Sequence, residues 1–437
     1  MMDMAPVFFY NLFMTVGVIV FAPLLFVKVI LTPKYRNRVG KRLGCALGDS
    51  PGGASSEGRP RIWVHALSVG EVASARNLVQ ELRRSYPLGI ILFSSATRAG
   101  ESFARAVLGH QVDCFLPFPF DLLWSVKRLL SWARPDLFVL VETDFWPNFL
   151  GELRRRDIPS LLVNGRVSAA SLVRYRRFSW LFRPLFNSFQ TLAMQTEQDA
   201  LSLRQLGVDP ACLMVLGNLK YDAALSGGGI KQGLDRAALQ IPAQALVWVA
   251  GSTHPGEEEL IFAAFAELTR TFPNLFLVVA PRNVERGAEL AAMAARRGLS
   301  AFSRSGGFAG EGSVLILDTL GELASVYALG DLAFIGGSLV PQRGHNPLEP
   351  AGHGKPVLFG PFMEDFAEIS RDLLAVGGAR QVHDEAELWT GLSLWLADPA
   401  ERERAGRQAQ GLIAARRGVT EAHLALIRRV LAQEGRG

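Results

Sequence analysis

From about residue 61 to residue 360 the chain alternates short apolar runs with amphipathic stretches. Ile62 to Leu67, Ile90 to Phe93, Leu137 to Val141, Leu161 to Val163 and Leu192 to Met194 read as strands. Helical patterns such as Ala73 to Arg84 and Leu122 to Trp132 lie between them. Leu225 to Gly233 is a glycine-rich stretch of linker character, and after it the alternation restarts. Val247 to Ala250, Leu275 to Ala280, Val314 to Leu317, Leu332 to Ile335 and Val357 to Phe359 form a second set of strands. Alternation of this kind predicts parallel βαβ units. Glu385 to Leu396, Ala400 to Ala415 and Thr420 to Gln433 read as closing helices that pack back onto the domains.

The two sets open alike. Trp63-Val-His-Ala-Leu-Ser-Val-Gly-Glu71 and Trp248-Val-Ala-Gly-Ser-Thr-His-Pro-Gly-Glu257 each run strand, polar loop, Gly-Glu, helix. The simplest architecture is α/β: two doubly wound, Rossmann-like domains facing each other across a cleft. In such sheets ligands sit beyond the carboxyl ends of the strands. The expected division is 34–222 for the first domain, 223–240 for a linker and 241–437 for the second domain with its helices.

Ahead of both lies a different pattern. Val7 to Ile30 is nearly uncharged and long enough to cross a bilayer. No positive segment precedes it and no small-residue cleavage site follows, so a cleaved leader is not expected. Lys34, Arg36, Arg38, Lys41 and Arg42 come immediately after. Residues 1–33 therefore read as a membrane helix with its N-terminus outside and the rest of the chain on the cytoplasmic side. A buried helix, or an interfacial one that does not span, is the alternative.

Composition sharpens this picture. The 437 residues are too many for a single core. A net charge of +5 at an anionic leaflet suits an acidic, lipid-borne substrate. No zinc spacing and no ribonucleoprotein motif favours nucleic acid as a partner. Cys45, Cys114 and Cys212 are too widely spaced for a disulfide framework or a metal site, as befits a reducing compartment.

Candidate chemistry falls at strand ends. Ile335 to Ala351 reads as strand end, two glycines, a loop, then Asn346 as N-cap with Pro347 in the first helical position and Glu349 in the first turn. A helix N-terminus after a Gly-containing loop favours phosphate. Glu349 is placed either to grip ribose hydroxyls or merely to complement its own helix dipole. Glu71 opens a helix, as a general base or as the second half of a Ser68-x-x-Glu71 capping box. Glu142, Thr143 and Asp144 close a strand, either toward the cleft or as helix caps. Lys220 lies at the domain junction, and Arg282, after Pro281, would clamp a phosphate or form a surface ion pair. There is no Gly-x-Gly-x-x-Gly fingerprint, no Walker lysine and no Asp-x-Asp pair. A redox cofactor, an ATPase and a bridging metal are all disfavoured; neither metal nor cofactor is expected.

Taken together the segments resemble the 3-deoxy-D-manno-octulosonic acid (Kdo) transferases of lipopolysaccharide synthesis. They are Trp63–Glu71, Glu142–Asn148, Asn164–Ser168, Gly217–Asp222, Gly251–Glu259, Pro281-Arg282, Asp318–Leu323 and Gly344–Ala351. The chain departs from that pattern at Ser94–Gly100, Ala169-Ala170 and Asn283-Val284. The resemblance implies a GT-B glycosyltransferase of the bacterial inner membrane, with CMP-Kdo as donor and the lipid A precursor as acceptor. It implies Glu71 as general base, and Glu142 and Lys220 as stabilisers of the transition state. It implies CMP held by Pro281, Arg282, Gly321, Glu322, Leu323, Asn346, Pro347, Leu348 and Glu349. The alternatives are a membrane-associated GT-B enzyme that uses a UDP-sugar and a non-catalytic nucleotide-sugar sensor.

Overall fold

The computed structural model describes residues 10–11, 14–15, 33–45, 47–48, 50–51, 59–142, 145–226, 234–306 and 312–434. The chain divides into two compact units, one of residues 1–223 with 418–437, the other of residues 224–417.

In the first unit β1 (Arg61–His65), β2 (Ile90–Ser95), β3 (Cys114–Pro117), β4 (Leu137–Val141), β5 (Ser160–Gly165), β6 (Thr191–Met194) and β7 (Leu213–Val215) form one sheet. Its order is β3-β2-β1-β4-β5-β6-β7, and every neighbouring pair is parallel. Both faces are covered, which is why β1 and β4 are buried at every position. Ile62 and Val64 point into one core layer with Leu78 and Ile427. Trp63 points into the other, where it meets Phe138 and Phe149 edge-on. Its indole N–H is satisfied by the Ser94 hydroxyl at 2.7 Å.

The second unit repeats the design. Its strands are β8 (Leu246–Thr253), β9 (Leu275–Pro281), β10 (Ala301–Ser303), β11 (Val314–Ile316), β12 (Leu332–Ile335), β13 (Val357–Phe359) and β14 (Ala379–Gln381). They pair in parallel in the order β10-β11-β9-β8-β12-β13-β14. Each sheet thus has one point where strand order reverses, between β1 and β4 and between β8 and β12. A doubly wound sheet opens its ligand crevice at such a point.

Residues 418–437 are expected from sequence with the second domain, but the closing helix Val419–Glu434 belongs to the first unit. Leu424, Ile427 and Val430 join the core layer of Ile62, and Asp222 accepts hydrogen bonds from the N–H groups of Gly418 and Thr420 at the helix start. The helix after Asn346 is only five residues, Leu348–Gly352. Its dipole is correspondingly small, so an anion there would depend on side-chain cations. The expected anchor, Val7 to Ile30, lies outside the described residues except Tyr10, Asn11, Met14 and Thr15. Among the described residues no helix is long and apolar enough to cross a membrane. Residues 227–233 of the expected linker also lie outside them, as do Thr143 and Asp144.

The described part of the N-terminal run touches the first unit. The Tyr10 hydroxyl donates to Asp121 Oδ2 at 2.8 Å, and the Asn148 amide donates to Asn11 Oδ1 at 2.7 Å. Two arginines of the basic cluster also turn inward. Arg38 donates to the Ala96 carbonyl and Arg42 to the Phe118 carbonyl, each at 2.8 Å. Lys41 remains exposed.

Candidate active site

In each sheet, unusual backbone gathers where strand order reverses or one strand away. Glu142 after β4, Asn164 within β5, Ser252 within β8 and Arg343 after β12 all have φ between 56° and 69°. Non-glycine residues rarely adopt this left-handed conformation, and such strain collects at functional loops. At Asn164 and Ser252 the ladder also slips register, which turns the chain away from its neighbour.

In the first unit Glu71 sits at the start of the Val69–Ser85 helix, just beyond β1. Its carboxylate accepts from the Leu67 N–H at 2.5 Å and from the Ser68 hydroxyl at 3.2 Å, while Ser68 caps the Glu71 N–H. The Ser68 half of the expected capping box is therefore formed, and the carboxylate returns to the N–H one residue ahead of the cap. Glu71 is half-buried and stands beyond β1 at the reversal.

Glu142 ends β4 on the other side of that reversal. Its Oε1 accepts from the Asn164 amide at 3.4 Å. Asn164 is the hub of a buried network. Its Oδ1 accepts the Leu219 N–H, its carbonyl takes the Gln195 amide, and its own N–H points to His423 Nε2 at 3.2 Å. Asn218 donates to Gln195 and receives the Lys220 N–H. Thus Glu142, Asn164 and Lys220, scattered in sequence, are tied to one corner beyond β4, β5 and β6. Glu71 stands apart from this corner, on the adjoining strand end.

His423 is a participant that sequence reading missed; nothing in a helix of mixed polarity singles it out. Its Nδ1–H donates to the Val419 carbonyl at 2.8 Å, which leaves Nε2 as acceptor for Asn164. Burial pushes its pKa down to about 4. As pH falls from about 6.5 toward 4, the unfolded chain takes up the proton first, so stability is lost across that window. Denaturant titration at pH 7.5 and 5 should show the native protein losing about 2 kcal/mol relative to a His423→Gln variant. Parallel losses in both proteins would refute this assignment.

In the second unit β8 and β12 are clamped together by Glu257. This fully buried carboxylate accepts four backbone N–H groups, from His254 (3.0 Å), Gly337 (2.7 Å), Ser338 (2.9 Å) and Leu339 (2.9 Å). The two loops run so close that a Cβ on Gly336 would stand 2.3 Å from the Ser252 carbonyl oxygen. Only glycine fits there. The next residue, Glu258, is buried against Arg286 at 2.8 Å.

The expected donor-site residues distribute around this clamp. Pro281 ends β9 in register with Thr253, and the Arg282 N–H donates to the Thr253 carbonyl. The Arg282 guanidinium is exposed and makes no hydrogen bond or ion pair among the described residues. Asn346 Oδ1 caps the Leu348 N–H, and its amide donates to Glu349 Oε1 at 3.2 Å. Burial raises the Glu349 pKa, with the Asn346 bond opposing it. Pro347 and Leu348 are buried. Glu322 is engaged by Arg304 at 3.2 Å and by the Thr319 hydroxyl, whereas Gly321, at φ 79°, has open space above it. Leu323 begins the next helix. Glu322 is therefore spent on the protein, and Arg282 is the cation of this set left open to an anion. Among the described residues no cluster of His, Cys, Asp or Glu is arranged to hold a metal ion.

The fold is shared with UDP-N-acetylglucosamine 2-epimerase from Neisseria meningitidis (TM-score 0.58, 14% identity, 81% of this chain and 98% of that one). A second structure of a UDP-N-acetylglucosamine 2-epimerase gives a TM-score of 0.59 at 16% identity, over 84% of this chain and 95% of that one. A family model described as 3-deoxy-D-manno-octulosonic-acid transferase (kdotransferase) matches residues 37–223. The 3-deoxy-D-manno-octulosonic acid transferase of Haemophilus influenzae is 32% identical over 402 residues, 91% of this chain and 92% of the relative. That of Bordetella pertussis is 33% identical over 371 residues, 82% and 85% of the two chains. These matches define a glycosyltransferase. Within that class the chain belongs to the 3-deoxy-D-manno-octulosonic acid transferase family.

Proposed function

We propose that this protein transfers Kdo from CMP-Kdo to the tetra-acylated lipid A precursor, with inversion and without a metal. What supports the reading is what each unit, taken by itself, carries at its own strand reversal in a chain of this family. Two carboxylates, Glu71 and Glu142, follow the strands that flank the reversal of the first sheet, and an uncommitted arginine, Arg282, follows β9, next to the reversal of the second. Glu71 accepts the proton of the attacking acceptor hydroxyl. Glu142 and Lys220, fixed through Asn164 and Asn218, stabilise the charge that develops. Arg282 offsets the phosphate of the departing CMP, with Asn346 and Glu349 ordering the nucleotide. The N-terminal apolar run and Lys41 hold the enzyme at the inner membrane, where the acceptor resides.

The test is product analysis. The full chain is incubated with acceptor in vesicles and with CMP-Kdo or UDP-sugars. A product heavier by Kdo, formed from CMP-Kdo alone, supports the reading. Turnover only with a UDP-sugar would reassign the donor, and nucleotide binding without any product would make the protein a sensor. Arg282→Ala is expected to raise the Kd for CMP by about tenfold or more while acceptor binding stays intact, as titration against each ligand would measure.

A further inference from the structure

His254 and His345 come together at the reversal of the second sheet. His254 follows β8, and His345 lies in the loop that follows β12. Their rings are parallel within 5°, with centroids 5.1 Å apart and the two Nε2 atoms 2.8 Å apart. The Glu257 clamp sets this approach, holding the His254 N–H and the Gly337 N–H on one carboxylate. Gly337, at φ 67°, passes close under this pair: a Cβ there would sit 3.2 Å from His345 Nε2 and would press on the ring.

Two ring nitrogens at that distance require one N–H between them. The neutral pair therefore holds one shared proton and offers one Nδ1–H and one Nδ1 lone pair outward. Adding one proton keeps the shared bond and turns both outer nitrogens into donors. Adding another would put two hydrogens between the rings and break the contact. Both rings are half-buried, and neither Nδ1 has a partner among the described residues.

We propose that His254 and His345 act as one proton-sharing unit that receives an anionic group of the sugar-nucleotide donor and takes up one proton as it binds. This rests on the donor reading above and adds to it a second cation, one that exists only while the ligand is present.

The surroundings agree. Burial lowers the pKa of both rings and the charge of Arg282 lowers it further; Arg286 adds to the effect at His254, and His345 is brought down to about 4. Asp365 acts the other way on His345, but it is paired with Arg343 at 2.6 Å. Glu257, beside His254, is saturated by four backbone donors. Without ligand the pair is thus neutral at pH 7. A bound phosphate or carboxylate offsets Arg282 and reverses the balance.

Calorimetry in buffers of different ionisation enthalpy tests this on the full chain, with CMP-Kdo and no acceptor. The phosphodiester of CMP-Kdo does not titrate near neutrality, so proton uptake belongs to the protein. Uptake approaching one proton near pH 6, fading above about pH 8, is expected. His345→Gln should weaken CMP-Kdo binding about tenfold at pH 6 and hardly at pH 8.5; a merely structural role would weaken it equally at both. CMP, which lacks the sugar carboxylate, separates the two anions. Uptake with CMP, in excess of that in the variant, assigns the phosphate, and uptake with CMP-Kdo alone assigns the carboxylate. Tight binding of both ligands with no uptake by the native protein overturns the pair and leaves the donor reading standing. Failure of both ligands to bind overturns the donor reading and the pair with it.

Discussion

Glu71→Gln is expected to fold normally and to lose transfer by about a hundredfold or more, the usual scale for a missing general base. The substitution separates two roles that coincide in this residue. Glutamine can keep its oxygen on the Leu67 N–H, held at 2.5 Å by Glu71, and turn its amide N–H toward the Ser68 hydroxyl oxygen, 3.2 Å from the other carboxylate oxygen, so the cap survives. It cannot take a proton from an acceptor hydroxyl. Thermal melting and CMP binding should therefore stay close to native while turnover collapses. Normal turnover would leave Glu71 as a cap only, and a large fall in melting temperature would show that the cap needs the charge.

Glu257→Ala should do the opposite. Four backbone N–H groups lose their acceptor inside a site with no exposure. Leaving buried donors unpaired costs about 1–3 kcal/mol apiece, partly recovered by entering water, so a loss of at least about 3 kcal/mol is expected. The melting transition of the second unit should drop by roughly 6–12 °C. CMP affinity should fall with it, because the His254 loop and the Gly337–Leu339 turn lose their common tie. Glu259→Ala, two positions along, exposed and holding the single Gly256 N–H at 3.2 Å, is the control and should stay within about 1 kcal/mol of native. Equal destabilisation by both would deny Glu257 its special place.

These neighbouring glutamates show where sequence reading stops. Glu257, Glu258 and Glu259 look alike, yet one ties four buried backbone N–H groups, one pairs with Arg286, and one, exposed, accepts the Gly256 N–H at 3.2 Å. Their fates depend on β12 and on the loop before the Gly287–Arg296 helix, far along the chain. The same limit hid His254–His345 and Asn164–His423, pairs 91 and 259 residues apart. Apolar runs, by contrast, revealed ten strands. The four not read, β3, β7, β10 and β14, are the edges of the two sheets, although β3 and β7 are themselves apolar. Each has only three or four residues and one paired edge; β10 and β14 carry polar residues, while β3 and β7 are too short to stand out from the apolar loops and helices around them. Asn346-Pro347 marked a turn into helix correctly, but not the helix's five-residue length. That length is set by β13, which begins at Val357.

The hydrogen bond from the Gly418 N–H to Asp222, at 3.1 Å, has a topological meaning. The chain leaves the first unit after Ala223 and re-enters it at Gly418, within reach of the same side chain. The second unit is thus an insertion into the first, spliced between two neighbouring points of a single scaffold. Insertions of this kind tolerate excision when their ends lie close together. A chain running 1–223 and then, through a short glycine bridge, 418–437 should retain the first sheet, its Asn164 hub and the His423 contact. A chain cut at residue 223 keeps every strand of that sheet but lacks the helix that closes its core.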